Sequence, residues 1–325
     1  MDYDSVFNGS YPNNVRIRKP KEFDVLFVLE VPYTEELLIE SDKYRPGFVN
    51  LDFDNVMEEL ADDEHLSYVY DEFEENLLDN NNYLKRTNLQ WWIHDIIEEV
   101  FERFGNYLGG MEVEYQKSCV AHTIYVDGGY NFNGKRISID FVPAIQFGRA
   151  RWLWKRNFYP FVGCSGTFYA VPKPFNATPR GRRGRSLTFL LVNPRAEYKI
   201  LLGKQNLKVA LRLLKALRDC YRHSLRRLKS YFLVTMFLWQ IKKRPESFWH
   251  EPMLEVLTEH FQNGELPYFW CADLNLLDIL KPKEITDYAE TLSSINNTLQ
   301  TYLCQPNLSF GRCATHFKLA DSDSD

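Results

Sequence analysis

The feature that most restricts the folds open to this chain is a change of hydrophobic period near residue 203. Before it, short apolar runs rich in β-branched and aromatic residues alternate with turn-rich segments, which is the pattern of strands. After it, apolar residues recur at helical spacing through "QNLKVALRLLKALRDCYR", "LKSYFLVTMFLWQIKK", "EPMLEVLTEHFQNG" and "KEITDYAETLSSINNTLQTYL". A chain patterned this way is neither one sheet nor one bundle. It predicts an α+β protein with two lobes: a mixed lobe over residues 1–200, an all-helical lobe over 201–318, and an acidic tail, 319–325, too charged to bury. With 325 residues there is enough chain for two cores.

Within the first lobe, "EFDVLFVLEVP" reads as a buried strand, and "SCVAHTIYVDG" and "KRISIDFVPAIQF" flank "GGYNFNG" as a hairpin. The strands "GTFYAVP" and "SLTFLLVN" are separated by a basic loop, "KPFNATPRGRRGR". Helical spacing through Leu89, Trp92, Ile93, Ile96, Ile97, Val100 and Phe101, with a stop at Gly105, predicts a helix packed on the sheet.

No apolar run approaches the roughly 18–20 residues of a membrane span, and no basic region followed by an apolar segment opens the chain. That points to a soluble, cytoplasmic protein with no membrane partner. The six cysteines lack CxxC or Cys/His ligand spacing, which argues against a disulfide framework or a zinc ribbon. A net charge of −5 conceals an asymmetry: residues 146–229 hold 20 of the 39 Lys and Arg but only two acids, Glu197 and Asp219. One region could face a polyanion although the whole chain is acidic.

Chemistry enters with three carboxylates. Side chains alternate across a strand, so Glu22 and Asp24 share a face about 7 Å apart at roughly 3.3 Å per residue. Asp140 sits in a second apolar strand, "ISIDFVPA", where an unpaired charge is costly. Three acids on adjacent strands are what a pair of Mg²⁺ ions needs, since hard cations take oxygen ligands and two such ions clamp both oxygens of a phosphoryl transfer. Taken singly, each acid is explained as well by a solvated strand end or by pairing with Lys21 or Arg136. Gly9 and Ser10 precede them; a glycine lets backbone approach a phosphate, and the next amide and hydroxyl can donate to it.

The order Gly-Ser, then Glu-x-Asp, then a distant Asp resembles the nucleotidyltransferase superfamily that includes DNA polymerase β. Within it, "GSYPNNVRIRKPKEFDVLFVLEVP", "ISIDFVPAIQ", "FYAVPK", "LRLLKALRD" and "LKSYFLVTMFLW" are together similar to cyclic GMP-AMP synthase and the related receptors of animals, collinearly from residue 8 to about 280. The resemblance implies a bilobal nucleotidyltransferase fold and an enzyme that makes a cyclic dinucleotide of the cyclic GMP-AMP type from ATP and GTP bound between the lobes, in innate immunity. It implies Glu22, Asp24 and Asp140 as the catalytic acids that hold Mg²⁺ or Mn²⁺, Gly9 and Ser10 at the nucleotide phosphates, and Lys215 reaching a phosphate or base. It further implies a phosphate contact at Ser230 and a stacked nucleobase on Tyr231.

Relatives of this kind sense nucleic acids. Lys208, Arg212, Lys215, Arg222, Arg226 and Lys229 recur at helical spacing and form one stripe if a single helix runs through them. With Arg182 and Arg183 of "RGRRGR" they suggest a surface for double-stranded RNA, read by shape. A zinc site and DNA sensing are disfavoured, because "EYKILLGKQNLKVAL" joins the lobes without Cys or His. Leu190 stands where the family has an arginine that faces the nucleotides, so the bases and linkage of the product stay open. Only eight residues precede Gly9, where the family has a long bracing helix, so either more chain precedes them or the brace is missing. A catalytically silent nucleotide- or partner-binding member of the fold, and a polymerase-like enzyme that extends RNA, are the competing readings.

Overall fold

The computed structural model describes residues 5–17, 22–118, 120–127, 136–154, 166–174, 185–243, 252–305, 307 and 310–317. Arg182 and Arg183, Lys21, the "GGYNFNG" turn and the tail at 319–325 lie outside the described residues. The chain forms two compact units, one of Met1–Pro12 with Lys19–Ala196, the other of Asn13–Arg18 with Glu197–Asp325.

Among the described residues the first unit is built on a ten-stranded sheet. Its strands are β1 (Ser5–Asn8), β2 (Glu22–Leu29), β3 (Leu38–Ser41), β4 (Phe48–Asp52), β5 (Tyr107–Leu108), β6 (Met111–Lys117), β7 (His122–Asp127), β8 (Arg136–Gly148), β9 (Thr167–Pro172) and β10 (Phe189–Val192). They run in the order β3-β4-β10-β9-β8-β7-β6-β5, with β2 on β8 and β1 on β2. The predicted hairpin is present as the antiparallel pair β7 and β8.

β8 is the strand on which the site depends. One edge pairs with β7 over Arg136–Phe141 and with β9 over Ile145–Gly148, while the other runs parallel to β2. Pro143 has no N–H to donate and falls between the β7 and β9 pairings. The core lies where apolar runs are continuous: Phe168, Tyr169 and Ala170 of β9 and Phe189 and Leu191 of β10 are almost fully buried. β2 is only half-buried, with Val25 and Leu26 inside and Glu22 exposed, so the expectation of a buried strand holds for its middle alone.

The helices of this unit are α1 (Asp54–Ala61), α2 (Ser67–Glu72) and α3 (Arg86–Phe104). α3 buries Leu89 and Ile93, yet Ile96 and Val100, on the same apolar stripe, are 43% and 48% exposed. The helix therefore packs through its first half and overhangs with its second, which periodicity alone cannot reveal.

α4 (Pro194–Leu201) leads the chain from one unit into the other. Its start is set locally: Pro194 is pre-set for a first turn, and the Asn193 side chain accepts the Ala196 amide at 3.0 Å. α5 (Gln205–Cys220), α6 (Ser230–Lys243), α7 (Met253–Asn263), α8 (Pro282–Leu303) and α9 (Phe310–Ala314) complete the second unit. α6 is buried on nearly every side through Phe232, Leu233, Met236, Phe237, Leu238 and Ile241, so the longest apolar run of the sequence is a core helix of the second unit. No helix among the described residues is long and apolar enough to cross a membrane.

The single basic stripe does not form. α5 ends at Cys220 and Tyr221–Lys229 is a run of turns, so Arg222, Arg226 and Lys229 leave the helix that carries Lys208, Arg212 and Lys215. Lys208 and Lys215 are moreover buried, at 4% and 3% exposure, while Val209 and Leu213 are exposed. A lysine stem is long and apolar enough to pack beside Leu207, Leu211 and Leu214, so charge alone did not decide which face of α5 points inward.

Candidate active site

Parallel pairing of β2 with β8 sets Glu22 opposite Ser138 and Asp24 opposite Asp140. Neighbouring strands extend the second row: Asn8 of β1 opposes Asp24, Thr123 of β7 opposes Asp140, and Gln116 of β6 opposes Thr123. Residues paired across strands share a face, so these five polar side chains form one row. Two residues along, on the same face, lies the row of Glu22, Ser138, Tyr125 and Glu114. All three candidate acids therefore project from one face of two adjoining strands, β2 and β8.

Hydrogen bonds knit the rows. The Thr123 hydroxyl donates to Asp140 Oδ1 at 2.6 Å, and the Tyr125 hydroxyl donates to Gln116 Oε1 at 3.2 Å. Arg136 pairs with Glu114 and lies 4.2 Å from the Tyr125 ring centroid, so this cation is engaged by a neighbouring carboxylate. At the other end of the row, Gly9 turns the chain after β1 with φ +77°, donating its amide to Asn8 Oδ1 at 2.8 Å. A Cβ on Gly9 would stand 2.3 Å from Asp24 Oδ2, so the backbone of the Gly-Ser turn is in contact with a candidate metal-binding carboxylate. Ser10 follows, half-buried.

The residues fit a hard divalent cation in donor chemistry and register: three carboxylates on one face, with space at Asp24 that only a glycine leaves. Among the described residues no three His, Cys, Asp or Glu side chains are drawn together closely enough to hold an ion. Register supplies the placement of the three acids, of which Glu22 is exposed.

The opposite face of β7 is sealed by a different network. His122 is fully buried, its Nδ1 2.7 Å from the Tyr115 hydroxyl, which is in turn 3.0 Å from His94 Nδ1. Burial, then the Lys117 charge, pushes the His122 pKa down to about 4, and burial pushes the Tyr115 hydroxyl up to about 12.

The helical unit holds the other candidates. Ser230 opens α6, and Tyr231 follows, its hydroxyl donating to Glu197 Oε1 at 3.0 Å. The Trp270 indole donates to the same oxygen at 2.9 Å, and the Tyr268 ring lies 6.0 Å from that of Tyr231. Burial raises the Glu197 pKa to about 7, with the two donors pulling the other way. Lys215 is enclosed and donates to the Val15 carbonyl at 3.1 Å, which ties α5 to the Asn13–Arg18 segment of its unit. Arg212 is half-buried, whereas Arg222 and Arg226 are exposed. Glu197 and Thr123 escaped sequence reasoning as site residues. Glu197 carried one signal, being an acid in a long basic region; Thr123 carried none, because its role comes from the strand it faces.

A mixed sheet with acids in register on its parallel pair, followed by a helical unit, is a nucleotidyltransferase architecture. Residues 11–186 match the Mab-21 protein nucleotidyltransferase domain and residues 206–294 match the Mab-21 protein HhH/H2TH-like domain. The chain is 32% identical over 296 residues to cyclic GMP-AMP synthase-like receptor 1 of Drosophila erecta, covering 86% of this chain and 63% of that one. It is 29% identical over 303 residues to the cyclic GMP-AMP synthase-like receptor of Lucilia cuprina (90% and 78%), and 30% identical over 300 residues to cyclic GMP-AMP synthase-like receptor 1 of Drosophila simulans (87% and 73%). The chain thus belongs to the Mab-21 nucleotidyltransferase family, in the group of cyclic GMP-AMP synthase-like receptors.

Proposed function

We propose that this protein is a metal-dependent nucleotidyltransferase that joins ATP and GTP into a cyclic dinucleotide of the cyclic GMP-AMP type, in cytoplasmic immune sensing activated by double-stranded RNA. The observation that carries this reading is the pairing of Asp24 with Asp140, with Glu22 one row away on the same face. The names of the curated relatives support the product class.

Glu22, Asp24 and Asp140 would hold Mg²⁺ or Mn²⁺, whose charge at such a site lowers the pKa of an attacking ribose hydroxyl and stabilises departing pyrophosphate. The chain's own residues supply the rest. Gly9 and Ser10 offer an unhindered backbone and a hydroxyl to phosphate oxygens. Ser230, at the start of α6, offers a second phosphate donor beside the helix N-terminus. Tyr231 presents an aromatic face whose plane is held by Glu197. Arg212, Arg222 and Arg226 would meet the phosphates of the activating RNA, an electrostatic contact that weakens steeply with salt.

The test is incubation of the purified chain with labelled ATP, GTP and Mg²⁺ or Mn²⁺ in the presence of double-stranded RNA, DNA or neither, beside a Glu22→Ala/Asp24→Ala control. A small cyclic product that requires the acids and the RNA is expected. Extended RNA as product would indicate a polymerase-like activity, and no acid-dependent product under any activator would overturn the proposal.

A further inference from the structure

Among the polar groups on this face of the sheet, Thr123 is hydrogen-bonded directly to a candidate acid. Thr123 is 8% exposed, sits opposite Asp140 in the β7–β8 pairing, and commits its hydroxyl to Asp140 Oδ1 at 2.6 Å. A hydrogen bond to an ionised carboxylate is a strong one, and this one ends on a side chain whose own strand is fixed from behind. β7 is paired on both edges, with β6 and β8, and the neighbouring His122 is buried on its other face against Tyr115. The donor is therefore rigidly placed, while the carboxylate it grips is half-buried and within one strand of Asp24.

We infer that Thr123 is a positioning residue for Asp140: its hydroxyl occupies one carboxylate oxygen and fixes the rotamer, leaving the other oxygen as the donor to a divalent cation shared with Asp24. The inference rests on the reading of Asp140 as a metal-binding acid. Its physical basis is that a carboxylate free to rotate pays conformational entropy each time it ligates, and that the outer partners of metal ligands are worth about 10–100-fold in affinity or activity. A β-branched residue suits the position, because threonine has few χ1 rotamers on a strand. Gln116, next in the row, accepts the Tyr125 hydroxyl and stands on β6, with β7 between it and Asp140, so it is two strands away from the carboxylate.

The experiment compares wild type with Thr123→Val, which keeps the shape and removes the hydroxyl, Thr123→Ser, which keeps the hydroxyl, and Asp140→Asn. Mn²⁺ binding to each full chain is titrated by electron paramagnetic resonance, with thermal melting to confirm folding, and product formation is followed as a function of ATP, GTP and Mn²⁺. Expected are Mn²⁺ binding weakened about tenfold or more in Thr123→Val, near wild type in Thr123→Ser and lost in Asp140→Asn, with kcat at limiting Mn²⁺ falling and recovering at high Mn²⁺. Thr123→Val that binds Mn²⁺ as tightly as wild type, while Asp140→Asn does not, overturns the inference and leaves the metal-site reading standing. Wild type and Asp140→Asn that bind Mn²⁺ alike overturn that reading, and the inference with it. If Thr123→Val fails to fold, a Thr123→Ser chain with Mn²⁺ affinity reduced as far as in Asp140→Asn overturns the inference by itself, since the hydroxyl is retained.

Discussion

Asp24 and Asp140 are direct partners in the one parallel pairing among the described strands, and each is flanked by a polar side chain on the next strand, Asn8 and Thr123 respectively. Two carboxylates at adjacent-strand distance repel one another, so their register is retained against an electrostatic cost that burial of Val25 and Leu26 on β2 and of Ala144 and Ile145 on β8 offsets. That relationship organises the site.

Gly9→Ala places a Cβ 2.3 Å from Asp24 Oδ2 in a backbone of φ +77°, so both strain and a displaced carboxylate follow. The conformational cost is about 1–2 kcal/mol, visible as a lower melting temperature by circular dichroism. Product formation is expected to fall about 100-fold, a misplacement of reacting groups by an ångström being enough for that. Full activity in Gly9→Ala would detach the turn from the chemistry.

Glu197→Gln tests the buried carboxyl beneath Tyr231. Its pKa is about 7 when folded against an ordinary 4.5, so the protonated form is favoured in the native state. Its contribution is fully present below pH 4.5 and is lost as pH rises through 7. The amide keeps an acceptor for Tyr231 and Trp270 and cannot ionise, so chemical denaturation should find the variant equal to wild type near pH 5 and about 2 kcal/mol more stable at pH 8. The same comparison of nucleotide KM at pH 8 reports whether ionised Glu197 disturbs the Tyr231 ring.

His122 gives the opposite slope. Its folded pKa of about 4 lies below the ordinary 6.5, so its stabilising contribution is present above 6.5 and is lost as pH falls toward 4. The native state should lose about 2–3 kcal/mol across that interval from this group. In His122→Gln the melting temperature should fall less between pH 6.5 and 4 than in wild type; equal acid slopes would show that His122 is not the group responsible.

Lys215→Met removes a buried ammonium and leaves the Val15 carbonyl without that donor. A loss of about 1–2 kcal/mol in urea denaturation followed by tryptophan fluorescence is expected, insensitive to salt because the group is enclosed. A more stable variant would mean that desolvating the charge costs more than its hydrogen bond returns.

The arrangement of the acids was readable from the chain alone, since Glu22 and Asp24 must share a face on any strand and Asp140 lies in a segment too apolar to be anything but sheet. The parallel register that sets Asp24 against Asp140 was not readable, because pairing between distant strands depends on the whole sheet. The basic residues show the limit most clearly. Spacing joined Lys208 to Lys229 in one stripe, but the helix breaks after Cys220 in "YRHSLRR", where no glycine or proline marks the end. Burial then put Lys208 and Lys215 inside and Val209 and Leu213 outside, with the Lys215 ammonium met by the Val15 carbonyl from a distant part of the chain. For α3, periodicity identified the apolar stripe correctly but not that Ile96 and Val100 overhang their partners.

By itself, then, the sequence determined local quantities, although α1, α2, α4 and the strands β3 to β6 were not read from it: the strands β2, β7, β8, β9 and β10, the helix α3 and the helices from α5 to α8, and that three carboxylates stand on sheet rather than in loops. Each follows from side-chain period, capping or backbone restriction, which act within a few residues. Only the tertiary structure decided which groups meet: Thr123 on Asp140, Gly9 against Asp24, and Tyr231 and Trp270 on one buried oxygen of Glu197. Those contacts join residues up to 73 positions apart, and desolvation there sets both hydrogen-bond strength and protonation, a quantity no stretch of the chain carries alone.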